Sequence, residues 1–525
     1  MSTPISPDGS SEWRPSFNPW LIAVAVMLAS FLEVLDTTIV SVAQPNMAGS
    51  LGATNEEATW VLTSYLVANA IVLPASGWLS LRFGRKRFLL VCTALFTLGS
   101  FLCGLAPSMG VLIAARVLQG AGGGALLPIS QAILLESFPR EKQGMAMAMF
   151  GLGVVVAPVL GPFVGGWITD NYSWRWVFNI NIPMGILAIY MMTRYVEDPP
   201  YIKNARPGTI DAIGFSLLAL WLATLQIVLD KGQQEDWFAS SWITWFSVIS
   251  LAAFAALIVR ELRIPDPIVD LRVFLNRNFW VGSCLTLVVM AAMYSALTML
   301  PLFLQTLLGY TAQSSGLATA PRGIGSMLAM PIAGILMAYM DSRWLMSAGV
   351  VCLSASTLML GNITLDVSMA SVAWPNVLQG LGIGLLLVPL MTVAVGTLPN
   401  EKIGNGSGIF NLMRNLGGSI GISISTTFLV RMTQIHQSNL VSHMTPYDPV
   451  FQQRMAAMTA GLSRYSAGPG AKMQAYGVLY GIMQQQSNAK AYIDMFCWTA
   501  LIVAICLPAV WILKNVTSKG GVALH

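Results

Sequence analysis

Residues 20–43 read WLIAVAVMLASFLEVLDTTIVSVA, an apolar run long enough to cross a lipid bilayer as one helix. The run carries two carboxylic acids in its second half, Glu33 and Asp36. A carboxylate at membrane depth costs roughly 2.5–3.5 kcal/mol on insertion scales, and residues three apart share one face of a helix. Acids kept at such a cost indicate a functional site, and we interpret this pair as the proton-binding site of a transporter.

The composition places most of the chain in lipid. Of its 525 residues, 55% are hydrophobic and only 10% are charged, whereas soluble globular proteins carry about 25% charged residues. The net charge of +5 is small for this length and gives no sign of a nucleic-acid partner. The histidines and cysteines show no metal-ligand spacing and no P-loop occurs, so we expect no metal and no cofactor.

Fourteen apolar runs have about the length of a membrane span. They are 20–43, 59–81, 88–105, 109–134, 145–168, 176–194, 212–229, 241–259, 280–306, 316–339, 344–361, 369–397, 405–430 and 494–514. The count predicts an all-α integral membrane protein with 14 transmembrane helices. Because the number is even, both termini lie on the same side of the membrane.

The positions of Lys and Arg predict which side that is. If the N-terminus is cytoplasmic, 18 of the 28 basic residues fall in cytoplasmic segments and only Arg175 and Lys231 fall in short outer loops. The long outer loop at 431–493 is exempt, because long loops largely escape this rule. Both termini are therefore predicted to be cytoplasmic.

The two ends of the chain repeat each other. VLQG at 117–120 recurs at 377–380, and residues 139–144 recur in part at 399–404, both at an offset of 260. Two like-oriented six-helix halves are the architecture of the major facilitator fold, in which the substrate site lies between the halves. We predict an N-terminal half at 1–200, two inserted helices and a linker at 201–278, and a C-terminal half at 279–525 that includes the outer loop.

Several motifs indicate a particular family. LDTTIVSVA at 35–43 resembles the signature of the fourteen-span drug:proton antiporters of the major facilitator superfamily, and further matches lie at 174–183, 225–237 and 414–421. Within that family, residues 18–23, 31–39, 433–449 and 484–496 resemble the inner-membrane pumps of tripartite multidrug efflux systems. The resemblance implies a bacterial inner-membrane protein that exports small-molecule drugs in exchange for protons. It also implies that the loop at 431–493 is periplasmic and meets an adaptor (membrane fusion) protein, which joins an outer-membrane channel.

GWLSLRFGRKR at 77–87 resembles the loop motif G-x-L-a-D-r-x-G-r-k of this superfamily. Gly77 and Gly84 permit a tight turn and close helix approach, while Arg82 and Arg85 suit helix C-termini and lipid phosphate. Leu81 stands where the family has an acid that helps to lock the outward-facing state, which puts that latch in doubt. A purely positive-inside anchor is the simpler interpretation.

A second glycine-rich motif lies in the fifth span. Gly161, Pro162, Gly165 and Gly166 resemble the signature of proton-driven exporters. Small residues let helices pack backbone to backbone, and a proline bends the helix. Ordinary close packing is the alternative interpretation of these residues.

Arg116 opens RVLQG, which resembles the family's R-x-x-Q-G motif. In the family this arginine lies close to the acidic residue of span 1 and is linked to proton transfer. A buried arginine needs an anionic partner, and Glu33 and Asp36 are the available acids. Since one guanidinium cannot neutralise both, we expect Glu33 and Asp36 to share protons while Arg116 selects which stays charged. A static ion pair between spans 1 and 4 is the alternative.

Six polar residues are candidates for the substrate cavity, namely Tyr65, Asn69, Gln131, Arg322, Asn411 and Arg414. Tyr65 and Asn69 share one face of span 2. Arg322 and Arg414 have no acidic partner within their half of the sequence. These two arginines therefore cap helix ends, bind lipid phosphate or face a water-filled cavity.

Three functions compete. The first is proton-coupled export of hydrophobic or amphipathic drugs by alternating access. The second keeps the fold but serves one metabolite, fatty acid or siderophore. The third is a membrane enzyme, but the sequence shows no catalytic nucleophile, dyad or metal cluster, so we expect no catalytic residues. A passive channel fits duplicated halves poorly.

Overall fold

The computed structural model describes residues 15–53, 55–203, 211–264, 267–310, 312–365, 368–442, 444–445, 447–463 and 469–514. Four basic residues of the orientation argument, Arg14, Arg206, Arg464 and Lys519, lie outside this part of the chain. So do the start of the predicted N-terminal half and the end of the predicted C-terminal half.

The described residues fold into helices joined by short connections. We number the helices that fall on predicted spans by the span, and the letters a and b mark the two pieces of a broken helix. They are α1 Pro19–Leu51, α2 Asn55–Phe83, α3 Arg85–Leu105, α4a Met109–Gly123, α4b Leu126–Ser137, α5 Arg140–Asn171, α6a Trp176–Asn179, α6b Asn181–Tyr195, α7 Ala212–Lys231, α8 Ser241–Arg263, α9 Arg277–Thr306, α10a Ala312–Thr319, α10b Pro321–Leu336, α11 Ser342–Leu360, α12 Met369–Gly396, α13 Asn400–Val441 and α14 Pro469–Ile512. The helices Pro200–Lys203 and Pro449–Leu462 lie outside the predicted spans, as do 3₁₀ turns at Trp237–Ala239 and Leu271–Leu275. The predicted all-α membrane architecture is confirmed.

Twelve of the described helical segments are long and apolar enough to cross a membrane. The two remaining predicted spans fall on α10 and α13. Helix α10 is broken before Pro321, whose ring removes a backbone donor, so each of its pieces is short. Helix α13 is long but rich in Asn, Ser and Gly. The count of fourteen spans stays a prediction, and the described helices are consistent with it.

The sequence repeat reappears as repeated packing. Gly120 of α4a lies against the backbone carbonyl of Tyr65 in α2, and Gly380 of α12 lies against the carbonyl of Arg322 in α10b. In both pairs an added methyl group would overlap that carbonyl. The α2–α4 contact of one half is therefore built again as the α10–α12 contact of the other.

The inserted helices α7 and α8 form a hairpin beside the bundle. At one end Arg260 Nη2 donates to Asp211 Oδ1 at 2.6 Å, and its Nε donates to the same carboxylate. This guanidinium holds the pKa of Asp211 below its usual range. Helix α7 packs against both α2 and α13, so the hairpin contacts both halves of the chain.

The predicted outer loop at 431–493 is mostly helical. Helix α13 continues to Val441, the helix Pro449–Leu462 follows, and α14 already begins at Pro469 instead of the predicted 494. Met455 and Leu479 pack together in a small apolar cluster. The projection is therefore built from extensions of two span helices and one helix between them.

Candidate functional site

A cavity of about 830 Å³ lies at the centre of the bundle. Helices α1, α4b and α5 line one side, and α9, α10, α12 and α13 line the other. Most lining side chains are apolar, with Met147, Met330 and Phe410 among them. The arrangement suits a ligand with a large apolar part, because such sites bind mainly by apolar contact and are oriented by a few polar groups.

The cavity is closed at one end. A methyl group on Gly77 of α2 would lie 2.6 Å from the backbone of Asn405 in α13. On the other side of the bundle, one on Gly144 of α5 would lie 3.2 Å from the carbonyl oxygen of Gly334 in α10b. The lining reaches the opposite end at Asn171, the last residue of α5. In the part of the chain that the structure describes, the cavity is closed where these glycines lie and extends to the opposite end of the bundle.

Asp36 and Arg116 form an ion pair that is fully buried beside this cavity. Arg116 Nη1 donates to Asp36 Oδ2 at 2.5 Å, and both side chains are 0% exposed. Gln119 Nε2 and Asn181 Nδ2 donate to Asp36 Oδ1 at 2.9 and 2.8 Å. The face of the Tyr65 ring lies 4.1 Å from the guanidinium carbon of Arg116. Hydrogen bonds from this many donors hold the Asp36 carboxylate in one orientation.

Glu33 lies in a separate polar contact. Its Oε1 accepts from Asn69 Nδ2 at 2.8 Å, while its Oε2 is buried with no hydrogen-bond partner among the described residues. Arg116 pairs with Asp36 and has no ion pair with Glu33 in that part of the chain. The geometry therefore separates one paired acid from one acid with a free oxygen.

Four of the six cavity candidates line the cavity. They are Gln131, Arg322, Asn411 and Arg414. Asn411 Nδ2 donates to Gln131 Oε1 at 2.5 Å, which is a hydrogen bond between the two halves. Arg322 Nη2 donates to Asn376 Oδ1 at 2.9 Å, but its Nε and Nη1 have no partner among the described residues. Of the roles left open for these arginines, facing the cavity is the one that the structure shows.

Tyr65 and Asn69 do not line the cavity, which corrects that interpretation. Both are buried, and they face the glycine-rich part of α4, where Gly123 and Gly124 leave room for them. Glycines at that position allow α2 to approach closely, and the polar face of α2 turns toward the buried acids instead. The i and i+4 spacing predicted a shared face but not which neighbour that face meets.

Residues 77–87 form the end of α2, the connecting residue Gly84 and the start of α3, and they include one partner of an ion pair. Gly84 has φ of 86°, a conformation that favours glycine. Arg85 is 1% exposed and pairs with Glu136 at the end of α4b, so it is not a lipid anchor. Arg82 is exposed. Asp198 Oδ1 accepts from the backbone of Lys86 at 2.8 Å.

The glycines of the second motif bring α5 against α1 near Asp36. Gly161 lies against Thr38, and a methyl group on Gly165 would lie 3.0 Å from the carbonyl oxygen of Ile39. Gly166 has more room, since its nearest neighbour would be 4.0 Å away. The backbone of Pro162 lies within α5, and its side chain is outside the described part.

Sequence reasoning missed three residues of this site. Gln119 and Asn181 bind Asp36, and Glu136 pairs with Arg85. Gln119 lies inside the RVLQG motif and Asn181 inside the match at 174–183, so a signal was present for both. Glu136 carried none, because nothing in its surroundings distinguishes it from a helix-end acid.

Comparison with known proteins gives the family. The family model of the Major Facilitator Superfamily matches residues 26–422. The Multidrug export protein EmrB of Haemophilus influenzae is 39% identical over 434 residues, which are 82% of this chain and 84% of that protein. The Fatty acid resistance protein FarB of Neisseria gonorrhoeae is 35% identical over 500 residues, which are 95% of this chain and 97% of that one.

A solved structure supports the fold. A crystal structure of a double tryptophan mutant of XylE matches with a TM-score of 0.60 at 14% sequence identity, covering 97% of this chain and 98% of that one. The chain therefore belongs to the Major Facilitator Superfamily and, within it, to the group that contains EmrB.

Proposed function

We propose that this protein is a proton-coupled antiporter that exports hydrophobic or amphipathic drugs by alternating access. The observation that carries the proposal is an apolar cavity between two repeated halves, open at one end, with the buried acids Glu33 and Asp36 beside it. The names of the EmrB relatives, which are multidrug export proteins, support the cargo.

The proton step falls to the two acids. Asp36 is bound by Arg116, Gln119 and Asn181, while the free Oε2 of Glu33 is the position where a proton can be held. Drug that enters the cavity from the cytoplasmic side displaces that proton. The halves then rock, so that the cavity opens on the opposite side of the membrane. The membrane potential contributes about 2.3 kcal/mol per charge for each 100 mV.

The setting of the protein is part of the proposal. We place it in the bacterial inner membrane with both termini cytoplasmic, as the basic residues predict. The open end of the cavity then faces the periplasm. The helical projection at 431–493 lies on the same side, where it is available to an adaptor protein joined to an outer-membrane channel.

A second candidate is the same fold dedicated to one acidic amphiphile such as a fatty acid. Two observations favour it. Arg322 and Arg414 line the cavity without a carboxylate ion-pair partner among the described residues. A relative that covers nearly the whole chain, FarB, is a fatty acid resistance protein.

Both candidates are tested by reconstituting the purified protein in liposomes and imposing a pH gradient. The cargo panel is tetraphenylphosphonium, Nile red and dodecanoate, which are cationic, neutral and anionic. Gradient-driven movement of all three supports multidrug export, and movement of dodecanoate alone supports the dedicated transporter. Movement that is unchanged when the gradient is collapsed contradicts proton coupling in either form.

A further inference from the structure

The two halves meet along two seams. Along one, α2 faces α13, and along the other, α5 faces α10. Both seams are tightly packed at the closed end of the cavity, through Gly77 against Asn405 and Gly144 against Gly334. The seams differ at the open end.

Helix α7 fills the α2–α13 seam at the open end. Ser419 Oγ of α13 donates to Gln226 Oε1 of α7 at 3.1 Å. Lys231 Nζ, at the end of α7, donates to Thr59 Oγ1 of α2 at 2.8 Å. The insert is therefore hydrogen-bonded to both halves where they would otherwise part.

The turn that follows α7 extends this closure. Trp237 Nε1 donates to Thr427 Oγ1 of α13 at 3.1 Å and to Gln233 Oε1 at 3.2 Å. Its ring packs on Gly232, where a methyl group would lie 2.7 Å from the indole. Asp236 and Trp237 have φ of 52° and 54°, a strained pair that persists only where the surroundings fix it. The turn is therefore held in one conformation against α13.

The α5–α10 seam has a different character at this end. Phe163 and Trp167 of α5 are 68% and 55% exposed, and Leu317 of α10a is 60% exposed. All three also line the cavity. The cavity is therefore bordered along this seam by exposed apolar side chains, a surface that suits contact with lipid.

We propose that the inserted helix α7 and the turn that follows it close one seam and confine lateral exchange with the bilayer to the seam between α5 and α10. Amphiphiles dissolved in the membrane leaflet at the open end enter or leave the cavity there. The identity of the cargo rests on the proposed function, whereas the asymmetry of the seams does not.

The test compares two single-cysteine variants in a background whose six native cysteines are replaced. Leu317→Cys probes the open seam. Ser423→Cys probes the closed seam, because Ser423 is 5% exposed and lies between Ser419 and Thr427 on one face of α13. The reagent is N-dodecylmaleimide, which dissolves in the liposome bilayer. Labelling is expressed relative to total thiol after unfolding in detergent.

We expect the Leu317→Cys variant to react faster than the Ser423→Cys variant by roughly tenfold or more, since thiol labelling follows exposure. Adding Gln226→Ala and Trp237→Ala removes the hydrogen bonds that tie α7 and the turn after it to Ser419 and Thr427 of α13. This change is expected to speed labelling in the closed seam while leaving labelling in the open seam unchanged. Gln226→Ala alone is the milder variant should the double change impair folding.

Three outcomes would overturn the proposal. The first is similar labelling rates in the two seams, and the second is no labelling of the Leu317→Cys variant. The third is an unchanged labelling rate of the Ser423→Cys variant after Gln226→Ala and Trp237→Ala are added. Labelling needs no transport, so a failure of the drug assays with the asymmetry intact removes the proposed function only.

Discussion

The most costly side chains of this protein are Asp36 and Arg116, because both charges are removed from water. Burial of an ion pair is tolerated when the geometry is good and the remaining donors and acceptors are satisfied. Gln119 and Asn181 meet that need at the carboxylate, and the carbonyl of Val61 accepts from Arg116 Nε at 2.9 Å. The pair therefore depends on α1, α2, α4a and α6b keeping their positions.

Arg116→Gln leaves Asp36 as a buried charge without its cation. Breaking a buried pair in this way costs about 3–5 kcal/mol, so we expect a lower thermal unfolding midpoint in detergent micelles. Adding Asp36→Asn removes the orphaned charge and is expected to restore most of the stability. Arg87→Gln, at an exposed site, is the matched control. A double variant no more stable than the single one would show that charge pairing is not the cause.

Arg322 is expected to select for anionic cargo. Arg322→Gln removes a cation whose Nε and Nη1 are otherwise unpartnered in the described chain. A charge-assisted hydrogen bond contributes about 1.5–3 kcal/mol, so dodecanoate should bind at least about tenfold more weakly. Tetraphenylphosphonium binding, measured by the same calorimetric titration, should not weaken. Parallel losses for both compounds would mean that the residue supports the cavity wall and does not recognise charge.

At the scale of the helices, glycines set how closely neighbours approach. The repeated glycines of α4a and α12 lie on backbone carbonyls of α2 and α10b, and no side chain separates the helix axes there. The outer part of α14 has a different need, because an added methyl group on Gly477 or Gly481 would meet nothing within 4 Å. Glycine therefore stabilises the protein where it lets two helices pack closely, and it destabilises the helix where it has no neighbour.

Gly120→Ala and Gly380→Ala are each expected to destabilise the protein by about 1–3 kcal/mol, the usual cost of overpacking. Gly477→Ala is the control, since nothing lies within 4 Å of its added methyl group and it lies inside α14, two turns from its start. That substitution is expected to stabilise by roughly 0.5–1 kcal/mol, because alanine is the better helix former. Unfolding midpoints measured side by side decide the matter. Equal shifts at all three positions would contradict the packing argument.

Much of this element-level structure is predictable from the sequence, for a physical reason. Hydropathy and the repeat locate the helices, and the cost of burying charge singles out Asp36, Glu33 and Arg116. Helix rotation is set by packing between distant segments, so Tyr65 and Asn69 were expected at the cavity but lie against α4. The ends of α13 and α14 escape hydropathy because their outer turns are polar.

At the scale of the whole molecule, the structure shows one end closed by direct contact between the halves. Leu81 replaces the acid expected in the motif at 77–87, yet the end is closed. The contacts between the halves there are backbone approaches at Gly77 and Gly144. Close backbone packing thus accompanies closure of this end in the absence of that acid.

Gly77→Ala is expected to open this end. The added methyl group would lie 2.6 Å from the Asn405 backbone, so the halves must separate. Spin labels at Phe83 and Glu401, both exposed at this end, report the distance by pulsed electron paramagnetic resonance. We expect a longer distance component in Gly77→Ala and none in Gly49→Ala, where nothing lies within 4 Å. An unchanged distribution in Gly77→Ala would mean that the glycine contact does not hold the closed end.

The central claim is that the acids beside the cavity give up protons when cargo binds. The most direct measurement adds tetraphenylphosphonium, which carries no titratable proton, to purified protein in weakly buffered detergent solution and follows the pH. We predict acidification by the unmodified protein and by Glu261→Gln, which changes a buried carboxylate in α8, far from the cavity lining. Glu33→Gln is predicted to bind tetraphenylphosphonium with little or no proton release, because it removes the oxygen that holds the proton. Proton release of unmodified size in that variant would contradict the account.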